Sequence, residues 1–247
     1  MKYIYFLFSN LWKLYVIVIF TFVGVVLYPF IRVLLLNEKW KRKSHSLFVL
    51  WSWAIRIICL YPIKKVKNSR LPDGPFIIIS NHSSYIDIFL MHSILPKFPF
   101  LFLGKSELLK YPIVGSYFKN LHIPVFRNNK LKAAKSFIHA KNAVKNNWSL
   151  MIFPEGGIPD ENLPKMIPFK EGAFKLAKSL HIPIVPITFT TNYHLFSDPG
   201  NFTGGARPGF SKVYIHEYLS VEEISNLAEI DLIQKCYDII NEPLINL

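Results

Sequence analysis

Apolar positions dominate the N-terminal quarter of the chain, and their pattern predicts membrane-active helices. From Tyr3 to Leu36 nearly every residue is apolar, and Leu14 to Ile31 provides 18 successive uncharged residues. That length lies at the lower limit for a helix that spans a bilayer. Gly24 and Pro29 allow bending, so a kinked or re-entrant helix is the alternative to a clean span. A signal peptide is disfavoured because no small-residue cleavage site follows the apolar run.

A second apolar segment, Ser44 to Ile63, is rich in aromatic residues but carries Arg56 in its middle. A charge at that point argues against an isolated span, so the pattern predicts a helix that lies in the membrane plane or inserts shallowly. A buried core helix is the alternative. Basic clusters flank the segment, and no acidic residue occurs between Lys39 and Pro72. We therefore expect residues 1–63 to form a two-helix membrane anchor, with its basic flanks on the cytoplasmic side near anionic head groups.

Beyond the turn at Leu71–Pro75, short apolar runs alternate with longer helical stretches. Strands are predicted at residues 75–80, 98–103, 123–126, 150–153, 184–191 and 213–216. Helices are predicted at 86–91, 106–109, 112–120, 131–145, 172–180 and 220–241. The segment Asn192–Gly209 reads as a long loop. Strands separated by helices indicate an α/β fold in residues 64–247, with a mixed, mostly parallel central sheet flanked by helices.

Composition and charge narrow the class of partner. The chain has 247 residues, 51% of them hydrophobic, and a formal net charge of +13. A strongly basic chain suits an anionic partner. The basic residues are densest beside the apolar helices, which favours an anionic membrane surface and disfavours nucleic acid. Cys59 and Cys236 match no ligand spacing, and the histidines are scattered. Neither a metal site nor a disulfide framework is predicted.

The best candidate for chemistry is a histidine and an aspartate at a strand-to-helix turn. His82 and Asp87 follow the apolar run Ile77–Ile79 and precede a second apolar stretch. Histidine is suited to general-base catalysis because its unperturbed pKa lies near neutral pH. A nearby carboxylate would fix its tautomer and stabilise the imidazolium. A helix cap beside a solvated imidazole is the simpler alternative.

Three further strand ends carry charged or glycine residues. Lys105, Arg127 and the pair Glu155–Gly156 each follow a predicted strand. Individually they have ordinary explanations: a surface lysine, an arginine in a salt bridge and a glutamate in a glycine turn without a functional role. Ligands of α/β proteins, however, bind beyond the carboxyl ends of the strands, so we expect these residues to meet His82 and Asp87 in one cleft. Such a set suits group transfer to a hydroxyl of an anionic acceptor.

These segments carry a family resemblance over about residues 71–190. The chain resembles the glycerophospholipid acyltransferase family, in particular its 1-acylglycerol-3-phosphate acyltransferases. NHSSYID is similar to the NHxxxxD motif of that family. The family's later blocks are resembled, in the same order, by GKSELLKYPIVG, PVFRNN, FPEGG and IPIVPI. The basic, helical N-terminus is similar to the family's membrane anchor.

The resemblance implies a mechanism. His82 would deprotonate the free hydroxyl of a lysolipid while Asp87 orients it. The hydroxyl would then attack the thioester of coenzyme A or acyl carrier protein, which is a co-substrate, so that neither a cofactor nor a metal ion is needed. Backbone N–H groups near the turn would stabilise the oxyanion.

The resemblance also implies an acceptor site and marks two departures from the family pattern. Arg127, assisted by Lys105, would hold the phosphate of the acceptor, and Glu155 with Gly156 would shape its site. Gly157 and Ile158 stand where relatives commonly have Thr or Ser followed by Arg. Phe126 stands where an Asp commonly precedes the arginine. Both departures remove polar groups near the acceptor and bear on its head group.

The leading interpretation is a membrane-bound O-acyltransferase that converts 1-acylglycerol-3-phosphate to phosphatidic acid. One alternative is an acyltransferase for a different lysolipid, such as a lyso-aminolipid or another lysophospholipid. A non-catalytic protein that binds anionic lipid is a second alternative, disfavoured because binding needs no paired base and carboxylate. A hydrolase with Ser83 or Ser84 as nucleophile is a third, and neither serine lies in a G-x-S-x-G sequence.

Overall fold

The computed structural model describes residues 2–110, 112–126, 129–159, 162–198 and 200–245. The strands are β1 (Ile63–Asn68), β2 (Ile77–Ser80), β3 (Phe100–Lys105), β4 (Ile123–Val125), β5 (Ser149–Ile152), β6 (Ile184–Phe189) and β7 (Ser211–Ile215). The helices are α1 (Lys2–Leu35), α2 (Glu38–Lys41), α3 (Ser44–Ile58), α4 (Ile86–Ile94), α5 (Pro112–Asn120), α6 (Lys130–Lys145), α7 (Gly172–Leu180), α8 (Asn192–Leu195), α9 (Val221–Asn226) and α10 (Glu229–Asn241). Short 3₁₀ helices cover Ser106–Lys110 and Glu242–Leu244.

A seven-stranded sheet in the order β1-β7-β6-β2-β5-β3-β4 forms the centre of the molecule. All neighbouring strands are parallel except β6 and β7. The central strand β2 is buried throughout, as its apolar run predicts. The expected α/β fold, with a mixed, mostly parallel sheet flanked by helices, is confirmed.

The helices cover both faces of this sheet. Connections between parallel strands are right-handed, so α4 and α5 lie on one face while α6 and α7, whose connections run in the reverse direction, lie on the other. Helices α1 and α3 pack against the first pair, and α10 packs against α7. The N-terminal helices therefore cover the same sheet face as α4.

Helix α1 is long and apolar enough to cross a membrane, as judged by length and composition over Tyr3–Leu35. One side of it packs on the domain, where Phe20 stacks on Trp51 and Phe89 at ring-centroid distances of 4.6 and 4.1 Å. Its opposite side exposes a row of large apolar residues that includes Leu7, Leu14, Val18, Phe22, Val25 and Phe30. The apolar residues of α1 thus form two surfaces: one packs against the domain and the other is exposed.

The second N-terminal helix, α3, combines the two alternatives that its sequence leaves open. It buries one side, including Phe48, Trp51 and Ile55, against the domain, while Leu50 and Trp53 stay exposed. Half of α3 is therefore a core helix. The two-helix anchor is supported only in part, and the division between residues 63 and 64 stays a prediction.

Two elements differ from the sequence-based expectation. Lys64, Lys65 and Lys67, expected to contact head groups, belong to the edge strand β1, which pairs in parallel with β7. Because three of its six residues are lysines, the sequence pattern does not predict this strand. Such charges on an edge strand discourage pairing with other chains. The segment expected to be a long loop begins with α8 and is attached to α1, since Lys13 Nζ donates to the carbonyl oxygens of Asp198 and Asn201.

Candidate active site

The carboxyl ends of five neighbouring parallel strands meet at one edge of the sheet, which we call the catalytic edge. Strands β6, β2, β5, β3 and β4 end there, and each is followed by a segment with polar side chains. His82 and Asp87 follow β2, Glu155 and Gly156 follow β5, and Lys105 ends β3. The structure thus brings these predicted residues to the same edge. Arg127 follows β4 in the sequence but lies outside the described residues.

His82 and Asp87 form a buried pair. His82 Nδ1 lies 3.1 Å from Asp87 Oδ2, and the carboxylate is fully buried. Because Nδ1 is used by the carboxylate, the neutral ring carries its proton on Nδ1 and presents Nε2 as an acceptor. No hydrogen bond to Nε2 occurs among the described residues. The pair therefore has the arrangement of a general base with a free basic nitrogen.

The imidazole plane is fixed by an aromatic neighbour. Phe153, the first residue after β5, stacks on the His82 ring with a centroid distance of 4.0 Å and an interplanar angle of 16°. The contact joins two strands that are hydrogen-bonded along Ile77–Ile79. The side chain of His82 is only 10% exposed, so few orientations other than that of the Asp87 contact are open to it.

Asp87 organises the whole turn as well as the histidine. Its Oδ2 also accepts hydrogen bonds from the backbone N–H groups of Ser83 and Ser84, at 2.8 and 2.9 Å. Its Oδ1 accepts from Nδ2 of Asn192 at 2.7 Å. These bonds satisfy backbone and side-chain donors near the start of α4 and fix the orientation of the carboxylate against His82.

Asn192 is a site residue that the sequence does not reveal. It lies at the start of α8, just beyond β6, in a segment whose composition predicts a long loop. Asn81 has a comparable structural task. Its side chain accepts from the N–H of Phe189 and donates to the carbonyl of the same residue, at 2.8 and 2.9 Å. These two bonds link the end of β2 to the end of β6. For Asn192, the available sequence signal is a polar residue soon after a predicted strand.

Glu155 supports the histidine through the backbone. It is 1% exposed, its Oε1 accepts from the N–H of His82 at 2.7 Å, and its Oε2 accepts from the N–H of Ile167 at 3.0 Å. Burial raises the pKa of Glu155 to about 7, opposed by these two hydrogen bonds and reinforced by the charge of Asp87. Both oxygens are engaged by the protein, so Glu155 acts on the site by positioning residues. Its direct part in the acceptor site stays a prediction.

Lys105 reaches the turn after β5. A Cβ atom placed on Gly157 would lie 2.7 Å from Nζ of Lys105, so the ammonium occupies the space that a side chain at residue 157 would need. Gly156 precedes it with φ of +82°, a conformation that favours glycine. The glycine at 157, which departs from the family pattern, thus makes room for a cation beside Glu155 and Gly156.

No group of three or more His, Cys, Asp or Glu side chains that could hold a metal ion occurs in the described part of the chain. Within these residues the site offers a base, a carboxylate that orients it and a neighbouring cation. Such a set can remove a proton from a bound hydroxyl and attract an anionic group nearby.

Comparison with known proteins places this site in a family. The sequence pattern of the family described as Acyltransferase matches residues 62–190. The 1-acyl-sn-glycerol-3-phosphate acyltransferase of Saccharomyces cerevisiae is 35% identical over 139 residues, covering 55% of this chain and 45% of that protein. The chloroplastic 1-acyl-sn-glycerol-3-phosphate acyltransferase BAT2 of Brassica napus is 28% identical over 196 residues, covering 77% and 54%.

The fold has a solved counterpart. The crystal structure of PlsC from Thermotoga maritima, a 1-acyl-sn-glycerophosphate acyltransferase, superposes with a TM-score of 0.71 at 24% identity, covering 100% of this chain and 97% of that one. This likeness shows the fold, and this chain spans about half the length of the curated relatives it matches. The family match covers more than half of the chain and includes His82, Asp87, Lys105, Glu155 and Gly156. The chain belongs to the acyltransferase family.

Proposed function

We propose that the protein transfers a fatty acyl group from an acyl thioester to the free hydroxyl of 1-acylglycerol-3-phosphate, which yields phosphatidic acid. The observation that carries this proposal is the His82–Asp87 pair at the catalytic edge, with Nε2 of His82 unengaged by the described residues. The names of the relatives supply the substrate class, which these proteins share.

In the proposed reaction, Nε2 of His82 accepts the proton of the acceptor hydroxyl as its oxygen attacks the thioester carbonyl carbon. The tetrahedral intermediate collapses with cleavage of the carbon–sulfur bond. The thiolate leaves and takes up the proton from His82, which restores the neutral base. Asp87 stabilises the imidazolium that exists between the two proton transfers. The thioester of coenzyme A or acyl carrier protein is a co-substrate, and the mechanism requires no metal ion.

The phosphate of the acceptor is assigned to the cations at the catalytic edge. Lys105 lies beside Gly157, and Arg127, which lies outside the described residues, follows β4 in the sequence. Two cations from neighbouring strands suit a phosphate monoester, which carries close to two negative charges.

The reaction takes place at a membrane, because the exposed apolar side of α1 needs an apolar environment. We assign the catalytic edge to the cytoplasmic face.

The decisive experiment offers the purified full-length protein a panel of lysolipids with acyl-coenzyme A and with acyl carrier protein thioesters. We expect the highest kcat/KM with 1-acylglycerol-3-phosphate. A higher kcat/KM for a lyso-aminolipid or another lysophospholipid would support the alternative acceptor. Ile158, which stands where relatives commonly have an arginine, favours that alternative. Binding of anionic lipid without turnover of any acceptor would leave the non-catalytic alternative.

Arg127 is tested separately because its side chain is not described. Arginine binds phosphate bidentately, whereas lysine presents a point charge. We expect Arg127→Lys to raise KM for 1-acylglycerol-3-phosphate far more than KM for the acyl donor. An unchanged acceptor KM would remove Arg127 from the site.

A further inference from the structure

A cavity, which we call the α3 pocket, lies at the end of α3 and is not lined by His82 or Asp87. It has a volume of about 270 Å³ and is lined by Trp53, Arg56, Ile57, Leu60 and Pro62. The side chains of Trp53, Ile57 and Leu60 are all exposed. The α3 pocket is therefore an apolar depression on the surface with one charged residue in its wall.

Arg56 lies in this pocket and has no ion-pair partner among the described residues. Its Cζ lies 4.0 Å from the centroid of the Trp53 ring, so the guanidinium stacks on the indole. Its Nε is buried and has no hydrogen-bond partner among the described residues. No carboxylate forms an ion pair with Arg56 in the same part of the chain. A partly desolvated cation with unused donors is a favourable binding partner for an anion.

A second positive charge lies nearby. Lys65 Nζ donates to the carbonyl of Ile94 at 3.2 Å. Burial and, after it, repulsion from Arg56 lower the pKa of Lys65, which reports the proximity of the two cations. Neighbouring like charges repel each other, which favours the binding of an anion near them. The pocket thus combines an apolar rim with one cation, Arg56, in its wall, and Lys65 adds positive charge outside the lining.

The position of the α3 pocket separates it from the proposed acceptor site. Pro62 accepts from the N–H of Ser211 at the start of β7, and β7 is antiparallel to β6, so the pocket lies at the catalytic edge. It lies beside β1, three strand spacings or about 14 Å from β2. Lys105 ends β3, which lies on the other side of β2.

The pocket is also continuous with the apolar surface of the N-terminal helices. Tyr15 of α1 donates from Oη to the carbonyl of Ile58, next to the lining residue Ile57. Exposed apolar residues of α1 and α3 therefore adjoin the rim. A ligand that fits both the cation and its surroundings must carry an anionic group and apolar chains.

We propose that the α3 pocket binds the phosphate group of an anionic membrane lipid, with the acyl chains of the lipid against Trp53, Ile57 and Leu60. The guanidinium of Arg56 forms charge-assisted hydrogen bonds with the phosphate, and Lys65 adds to the attraction. The bound lipid is neither acceptor nor product of the proposed reaction. It holds the catalytic edge at the level of the phosphate groups of the bilayer.

Lipid binding to the full-length protein in neutral detergent micelles tests this proposal. Native mass spectrometry would measure retention of phosphatidylglycerol against phosphatidylcholine. Arg56→Gln removes the pocket cation. Arg42→Gln is the matched control, because Arg42 is an exposed arginine at the other end of α3, near the Trp148 ring. We expect wild-type protein and Arg42→Gln to prefer phosphatidylglycerol, and Arg56→Gln to bind it about tenfold more weakly or worse.

Further variants keep the result interpretable. Arg56→Lys preserves the charge but not the planar fork, so we expect an intermediate affinity even where Arg56→Gln is poorly folded. If Arg56→Gln and Arg42→Gln lost the same amount of phosphatidylglycerol binding, the preference would reflect surface charge alone, and the proposal would be overturned. Equal retention of the two lipids by the wild type, or displacement of phosphatidylglycerol by soluble glycerol 3-phosphate at equal concentration, would also overturn it. Because the readout is binding, its outcome is independent of whether acyl transfer is observed.

Discussion

At the scale of single residues, Asp87 connects the shape of the turn to the chemistry of the histidine. One oxygen, Oδ2, accepts from two backbone N–H groups and faces Nδ1 of His82, while Oδ1 is held by Asn192. These four contacts hold the Asp87 side chain in one position beside the imidazole. An imidazolium formed in the proposed reaction would therefore lie directly against Asp87.

Replacing His82 by Ala should abolish acyl transfer without unfolding the protein, because the backbone bonds of the turn involve Asp87 and Glu155. Loss of a general base costs about 10² to 10⁴ in rate. Asp87→Asn should lose nearly as much activity, since an amide cannot stabilise the imidazolium. Steady-state kinetics with circular dichroism as the folding control would measure both. Near wild-type turnover of folded His82→Ala would refute the mechanism.

A second residue-scale prediction concerns the space beside Lys105. Gly157→Ala would place its Cβ 2.7 Å from the Lys105 ammonium, and the flexible side chain would have to move away. We expect a higher KM for the acceptor, an unchanged KM for the acyl donor and little change in thermal stability. Gly172→Ala is the control, because a Cβ there meets no atom within 4 Å. An unmoved acceptor KM would separate Lys105 from the phosphate site.

The sequence singles out the His82–Asp87 pair but not the residues that support it. His82 and Asp87 are five residues apart, so a local motif can identify them. Asn192 is 105 residues from Asp87 in the chain, and the bond between Glu155 and the N–H of His82 spans 73 residues. Such contacts depend on strand order, which a single sequence does not reveal. The family resemblance therefore implies only that Glu155 shapes the acceptor site, and it does not reveal the bond between Glu155 and the backbone of His82.

At the scale of elements, a cluster of buried histidines joins α3, α4 and the start of β4. His45 Nδ1 and His92 Nδ1 lie 3.4 Å apart, and His122 Nδ1 accepts from the N–H of Phe102. Burial lowers the pKa of all three, to about 4 for His45, to about 3 for His122 and well below the ordinary value for His92. The contact between these elements thus depends on neutral imidazoles.

This cluster predicts acid sensitivity of the fold. In the unfolded chain these histidines bind protons near pH 6.5, whereas in the folded chain they do so only at much lower pH. Protons therefore favour the unfolded state, and stability falls as pH drops from about 6.5 towards 4. His92→Phe should be less stable at neutral pH, because His45 loses its partner, but should lose less stability on acidification. Thermal denaturation across that range would show parallel curves if the prediction were wrong.

Elements defined by local pattern were predicted best. Helices α5 and α7 have the predicted bounds, Pro112–Asn120 and Gly172–Leu180, and β2 matches its apolar run closely. Strand β1 was missed because its sequence, IKKVKN, resembles a solvated charge run. Only pairing with β7, about 150 residues later, makes it a strand. Local patterns cannot report such a partner.

One contact between elements should control the mobility of the segment after α8. Lys13 of α1 is 3% exposed and donates to the carbonyls of Asp198 and Asn201. Lys13→Met keeps the length of the side chain but leaves both carbonyls without this donor. We expect faster proteolytic cleavage near residue 201 while the rest of the domain stays protected. Lys39→Met, at an exposed position, is the control and should leave the cleavage rate unchanged.

At the scale of the whole molecule, the exposed apolar side of α1 predicts firm membrane attachment. High salt should not extract the full-length protein, because burial of apolar side chains is little screened by ions. Removing residues 1–36 should release much of the protein from the membrane. It should also uncover Trp51 and Phe89, so the truncated protein needs mild detergent to stay dispersed. A truncated protein that remains in the membrane fraction, and is not aggregated, would show that the domain carries its own attachment.

The pairing of β1 with β7 has a consequence for the order of events during synthesis. Ile63 meets Ser211, so the strand that follows the apolar helices must wait for nearly the entire domain to be made before it finds its neighbour. Asn192, which holds Asp87, also emerges late. Helix α1 precedes every strand of the sheet in the chain, so it can reach the bilayer while the sheet is still incomplete. Under the proposed function, the protein would reach its lipid surface before it is able to act, and the His82–Asp87 site would be completed only where acceptors are already at hand.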